Sequence, residues 1–193
     1  MMIVGCGLLT GCGSTAGSTA RDDTPKVDQP GAYISRYRGP FVEALVDYRF
    51  AAQSLGDEWM ILNVAVAGTQ SVAQEVRADA VSLRTSSGAR IPLPNYKEFA
   101  RAFPEVHSAS RRAAVAASPL DFSRGDRRWC RLSFHPIPGT EPALTAVYVD
   151  RRSLCSGLLY FPVPGGIQPE RYALTIELEE TLVAVPFELS LER

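Results

Sequence analysis

The chain has no apolar run approaching the ~18 residues that a membrane-spanning helix requires. It also has only two histidines and almost no net charge. Each shortage removes a class of function. A balance of 20 basic against 21 acidic residues leaves no whole-domain footprint for nucleic acid, which needs a basic patch or stripe. The two spots where aromatic and basic residues mix, Tyr33 to Arg38 and Asp126 to Trp129, read as a tether-to-domain junction and a strand entry. A Gly-x-Ser-x-Gly elbow, a phosphate-binding loop and a His-Glu-x-x-His helix are all missing, so the usual signatures of acyl transfer, nucleotide hydrolysis and zinc proteolysis are missing too. His135 precedes Pro136 and reads as a solvated turn residue. His107 lies near Ser108 and Ser110, but a nucleophile and its base need a third group to orient them, and the sequence offers none. Glu179-Glu180 reads as a hairpin tip. The expectation is a protein without catalysis, cofactor or metal.

What is present describes an ordinary globular domain. Of 193 residues, 46% are hydrophobic and 21% charged. Residues 13–32 are small and polar, with Pro25, Pro30 and Gly31, and read as linker. From Glu43 the pattern turns to period two: Ala44, Val46, Tyr48 and Phe50 alternate with charged neighbours, the mark of a strand with one wet face. Trp59 to Val66 is apolar on both parities except for Asn63, which suits a strand buried on both faces. Val81 to Thr85, Cys130 to Phe134, Ala143 to Val149 and Gly157 to Phe161 read as further strands. Tyr172 to Leu178 and Val183 to Leu191 complete them as a final hairpin, with Pro186 on the outward parity of an edge strand. About eight short strands with Pro/Gly turns predict a mainly β fold, an antiparallel sandwich.

One excursion breaks the strand pattern, residues 95–126. Tyr96, Phe99, Ala100 and Phe103 fall at helical spacing, and Asn95 with Glu98 forms a capping pair. Pro104 is expected to end or kink this helix, with a further turn or two in the Ala-rich stretch before Pro119.

The four cysteines divide by position. Cys130 and Cys155 remain as an even pair, readable as a disulfide if the chain is exported and as two buried thiols if it is cytosolic. Leu9-Thr10-Gly11-Cys12 has the residue order of a lipoprotein processing site, and the Gly/Ser/Thr run from Gly13 to Ala20 follows it. In these residues the chain resembles the bacterial lipoprotein family. The resemblance implies a signal segment at 1–11, whose missing basic residues point to a start codon further upstream. It implies a lipidated Cys12 with a tether over 12–40, and a domain over 41–193. Gly13, where an Asp would favour inner-membrane retention, implies the outer membrane, with the domain facing the periplasm or the cell surface. Gly157 to Pro162 and Tyr172 to Ile176 are similar to the late strands of small immunoglobulin-like domains in such proteins, which implies an immunoglobulin-like sandwich.

The function expected from these readings is a membrane-tethered scaffold that docks an envelope protein through the 95–126 excursion. Lys97, Arg101, Arg111 and Arg112 are the partner-binding candidates, with Arg124 adding to the basic character. The alternative is a binder of a small ligand or envelope polymer through Trp59, Trp129 and Tyr160.

Overall fold

The computed structural model describes residues 24–118, 120 and 127–191. In chain order the strands are β1 (Lys26–Gly31), β2 (Ile34–Arg38), β3 (Val42–Asp47), β4 (Trp59–Gly68), β5 (Gln74–Arg77), β6 (Val81–Arg84), β7 (Arg90–Pro92), β8 (Arg128–Arg131), β9 (Ala146–Val149), β10 (Ser153–Pro162), β11 (Arg171–Glu177) and β12 (Leu182–Glu188). Two α-helices interrupt them, α1 (Arg49–Ala52) and α2 (Tyr96–Ala116). A six-stranded sheet runs in the order β1-β2-β3-β4-β10-β8, a four-stranded sheet in the order β12-β11-β6-β7, and β5 pairs with β9. The predicted β-sandwich is therefore present. Every strand pair is antiparallel except β8 with β10, whose register sets Cys130 beside Cys155.

Strand parity explains the layering. Met60, Leu62, Val64 and Val66 of β4 share one core with Val81, Leu83, Leu174, Ile176, Val183, Val185 and Phe187 of the four-stranded sheet. The opposite parity of β4 is also buried. Ile61 packs with Tyr160, Phe50 and the inner face of α2, while Ala65 and Ala67 pack with Leu45, Leu120 and Leu154. This is why Trp59 to Val66 lacks alternation: the strand has no wet face.

Several expectations need correction. The tether does not extend to residue 40, because Lys26–Gly31 and Ile34–Arg38 form a hairpin that continues the sheet, with Lys26 opposite Arg38 and Arg38 opposite Glu43. Phe50 is not a strand residue. The Asp47 carboxylate accepts the Arg49 N–H at 3.0 Å, turns the chain into α1 and sends Phe50 to the outer layer. Pro104 does not end the helix, which runs unbroken for 21 residues. Its ring is on the exposed side, where the carbonyl it leaves without an N–H partner can be hydrated. The Asn95/Glu98 capping box is complete: Glu98 N–H donates to the Asn95 carboxamide and Asn95 N–H to the Glu98 carboxylate, each at 3.0 Å. Leu191, expected on the inward parity, is 70% exposed.

Candidate functional site

Helix α2 has an inner and an outer face. Phe99, Val106 and Ala113 are buried against Ile61 and Tyr160, and Ser110 Oγ lies 2.7 Å from the Tyr160 hydroxyl. Burial pushes the Tyr160 hydroxyl above its ordinary value, so it stays protonated and available for that bond. The C-terminal end is held by two polar groups on the sheet. Asn63 Nδ2 donates to the Ser118 carbonyl at 3.0 Å, and Ser118 N–H donates to the second Asp47 oxygen at 2.9 Å. Asp47 is 3% exposed and thus organises both α1 and the exit from α2. With the inner face wholly occupied in packing, the outer face of α2 is open to another molecule.

That outer face carries the predicted cations. Residues 97, 101, 104, 108, 111, 112 and 115 recur at three- and four-residue spacing, so they share one stripe, and all are exposed. Lys97 to Arg112 spans about 22 Å of helix. Glu98 is consumed by the cap, which leaves Glu105 as the other carboxylate of this helix. Arg112 also lies over the Phe50 ring at 5.5 Å and so helps hold α2 to α1, whereas Val115 is 89% exposed beside Arg111 and Arg112. Arg124 and Cys12 lie outside the described residues.

A second feature brings together two of the three candidate aromatics, Trp129 and Tyr160. Between the flank of α2 and the edge strand β8 lies an open groove of about 720 Å³, lined by Ser110, Trp129, Leu132, Ile137 and Leu158 among others. Trp129 is 62% exposed there, while Tyr160 forms part of the floor and Trp59 sits elsewhere, packed on the outer cluster. His135 is not a solvated turn residue. It is buried beside Phe99, ring centroids 4.7 Å apart, and its Nε2 lies 2.7 Å from the Pro94 carbonyl. Burial lowers its pKa, the Pro94 bond opposing only in part, so it is neutral near pH 7. With Nε2 as the donor, Nδ1 is left buried without a partner. His107, by contrast, is exposed beside Phe103, ring centroids 5.2 Å apart.

Cys130 and Cys155 form a disulfide joining the edge strand β8 to β10, with Cα atoms 4.4 Å apart. Among the described residues no group of three or more His, Cys, Asp or Glu is placed to hold a metal, and no helix is long and apolar enough to cross a membrane.

No protein-family model matches the chain, and no curated protein matches it. Among solved structures it is similar to a Bacillus subtilis protein described as a "putative lipoprotein (ycdA)", at 14% sequence identity and a TM-score of 0.42. The alignment covers 80% of this chain and 38% of that one, so this chain spans well under half the length of its structural neighbour.

Proposed function

We propose that the protein is a lipid-anchored envelope protein that docks an acidic protein partner on the outer face of α2, without catalysis. The observation that carries the docking reading is the division of labour on that helix. Its inner face is fully spent on Ile61, Tyr160 and the Asp47/Asn63 clasp, while Lys97, Arg101, Arg111 and Arg112 line the outer one with a single unshared carboxylate nearby. A cationic stripe of that length selects for a partner of opposite charge and speeds encounter with it. The anchor reading draws on the Leu9-Thr10-Gly11-Cys12 sequence, and the disulfide agrees with an oxidising, extracytoplasmic compartment. The outer membrane follows from Gly13 within the same reading.

Photo-crosslinking in cells from a probe at Lys97, followed by mass spectrometry, should give one dominant protein adduct. Lys97→Glu with Arg101→Glu should abolish that adduct without lowering the melting temperature. A drop in melting temperature with capture intact would count against the docking face. Palmitate labelling of the wild type but not of Cys12→Ala is the test of the anchor.

The groove between α2 and β8 supports a second reading, a site for an apolar or sugar-like ligand stacked on Trp129. Its test is quenching of tryptophan fluorescence by cell-wall fragments or lipids, lost in Trp129→Ala.

A further inference from the structure

Helix α2 covers only part of the outer face of the six-stranded sheet, and the part it leaves open floors the groove beside β8. Strand register places the side chains there. Ile61 opposite Tyr160 and Asn63 opposite Leu158 put Tyr160, Leu158 and Ser156 on the α2 side of β10. Trp129 beside Leu154 and Arg131 beside Ser156 put the indole and the guanidinium on that same side of β8. Cys130, between them, faces the seam and joins Cys155. Trp129 and Arg131 are thus neighbours on one face, about 7 Å apart along the strand.

The chemistry of this surface is specific. Trp129 is largely exposed, so its ring is not consumed by packing. Arg131 and Glu141 meet at 3.6 Å, and Ser133 Oγ donates to the other Glu141 oxygen at 2.6 Å. At 3.6 Å no hydrogen bond joins the charged pair. A hydroxyl, which both donates and accepts, can bridge it. The groove carries no net charge among its described residues, because Arg131 balances Glu141 and His135 is neutral near pH 7. It therefore does not suit the acidic partner proposed for α2, nor any anion. Its far wall is preformed. Thr140 N–H and Oγ1 both donate to the Ile137 carbonyl, at 3.1 and 2.7 Å, and Leu144 N–H donates to the Ser133 carbonyl at 2.8 Å.

We infer that the groove is a site for a neutral, β-linked oligosaccharide, one pyranose ring lying on the Trp129 indole with its hydroxyls bonded by Arg131 and Glu141. The inference rests on the groove reading above and deepens it by choosing between its two ligands. An acyl chain would desolvate the Arg131–Glu141 pair without returning a hydrogen bond, and would keep one side in water. A pyranose with equatorial hydroxyls has an apolar C–H face to set against the electron-rich face of the indole. Its rim of hydroxyls then falls where Arg131 stands. The groove is open, so the sugar chain can continue past the bound ring.

The test is calorimetric titration of the full chain with cellohexaose, chitohexaose and, as the acyl probe, laurate, each up to millimolar concentration. At least one hexaose should bind, and laurate should not. Trp129→Ala should weaken hexaose binding about ten-fold, and Trp129→Phe less. Arg131→Ala and Glu141→Gln should each weaken it about ten-fold. Lys97→Glu with Arg101→Glu should leave it intact. Should Trp129→Ala melt early, Arg131→Ala is read in its place under the same criteria. Hexaose binding that survives Trp129→Ala, or that neither rim variant weakens, would overturn the inference. Laurate bound in a Trp129-dependent way, with neither hexaose bound, would overturn it and leave the groove reading standing. Failure of all three probes would remove both.

Discussion

The two faces of the six-stranded sheet are held in different ways. The face toward the four-stranded sheet is an apolar seam of β-branched and aromatic side chains, with Phe187 stacked between Tyr48 and Tyr172 at 5.0 and 5.8 Å. The face toward α2 has a smaller apolar cluster supplemented by polar contacts that reach across the sequence: Asp47 and Asn63 with Ser118, Ser110 with Tyr160, and His135 with Pro94. The seam is the larger apolar cluster and rests mainly on packing, whereas the outer layer depends on a few bonds being made. Local opening should therefore start at α2, which also carries the proposed docking stripe.

The difference can be broken or sharpened by measurement. The largest loss is expected on the seam. Phe187→Ala removes a fully buried ring and should cost about 3–5 kcal/mol in chemical unfolding. A loss no larger than that of an outer-layer variant would erase the distinction. Next comes Cys130→Ala with Cys155→Ala. It opens a loop of sequence separation 25 and should cost about 3 kcal/mol, seen as a lower melting temperature that no longer responds to reductant. On the outer layer Asp47→Ala leaves the Arg49 and Ser118 N–H groups without their acceptor and should cost about 2 kcal/mol. Amide exchange should then accelerate over residues 110–118 while the β11–β12 amides stay protected, and uniform acceleration would contradict a separately opening layer.

The smallest effect appears only in acid. Burial holds His135 neutral in the folded state more firmly than in the unfolded chain, so the unfolded chain binds the extra proton and stability falls as pH drops below the ordinary imidazole value of 6.5. His135→Phe should flatten that part of the stability profile, and an unchanged slope would move the proton to another group.

The same contrast decides what could be read from the residues beforehand. Alternation in Tyr172 to Ile176 and Val183 to Phe187 marks β11 and β12 because one parity faces the seam, while the other carries the half-buried Ala173, Ala184 and Pro186 and Thr175, which is buried against Ser82. The double-sided burial of β4 is legible for the converse reason. The helix over Tyr96 to Phe103 and its cap are also legible, being local. The hairpin β1–β2 is not evident in Lys26 to Gly31, since that edge strand buries almost nothing, although Ser35 and Tyr37 against Arg36 and Arg38 carry a short period-two signal. His135 and Asp47 escaped because their partners, Pro94 and Ser118, lie 41 and 71 residues away, and spacing says nothing about such contacts. The candidate cations follow from their place in the excursion that breaks the strand pattern. Their shared stripe follows from the helix continuing through Pro104, which a rule that proline ends helices would have denied.

The disulfide also sets an order of events. Both cysteines, and the strands that align them, lie before residue 163, whereas the four-stranded sheet is closed by β11 and β12 near the end of the chain. Cys155 has no exposure in the folded protein, and thiol–disulfide exchange needs an accessible thiolate. Oxidation should therefore run faster on an unfolded or partly folded chain than on a folded one that carries free thiols. A chain that closes its core with free thiols would be slow to acquire the bond, since an oxidant could reach Cys155 only through reopening.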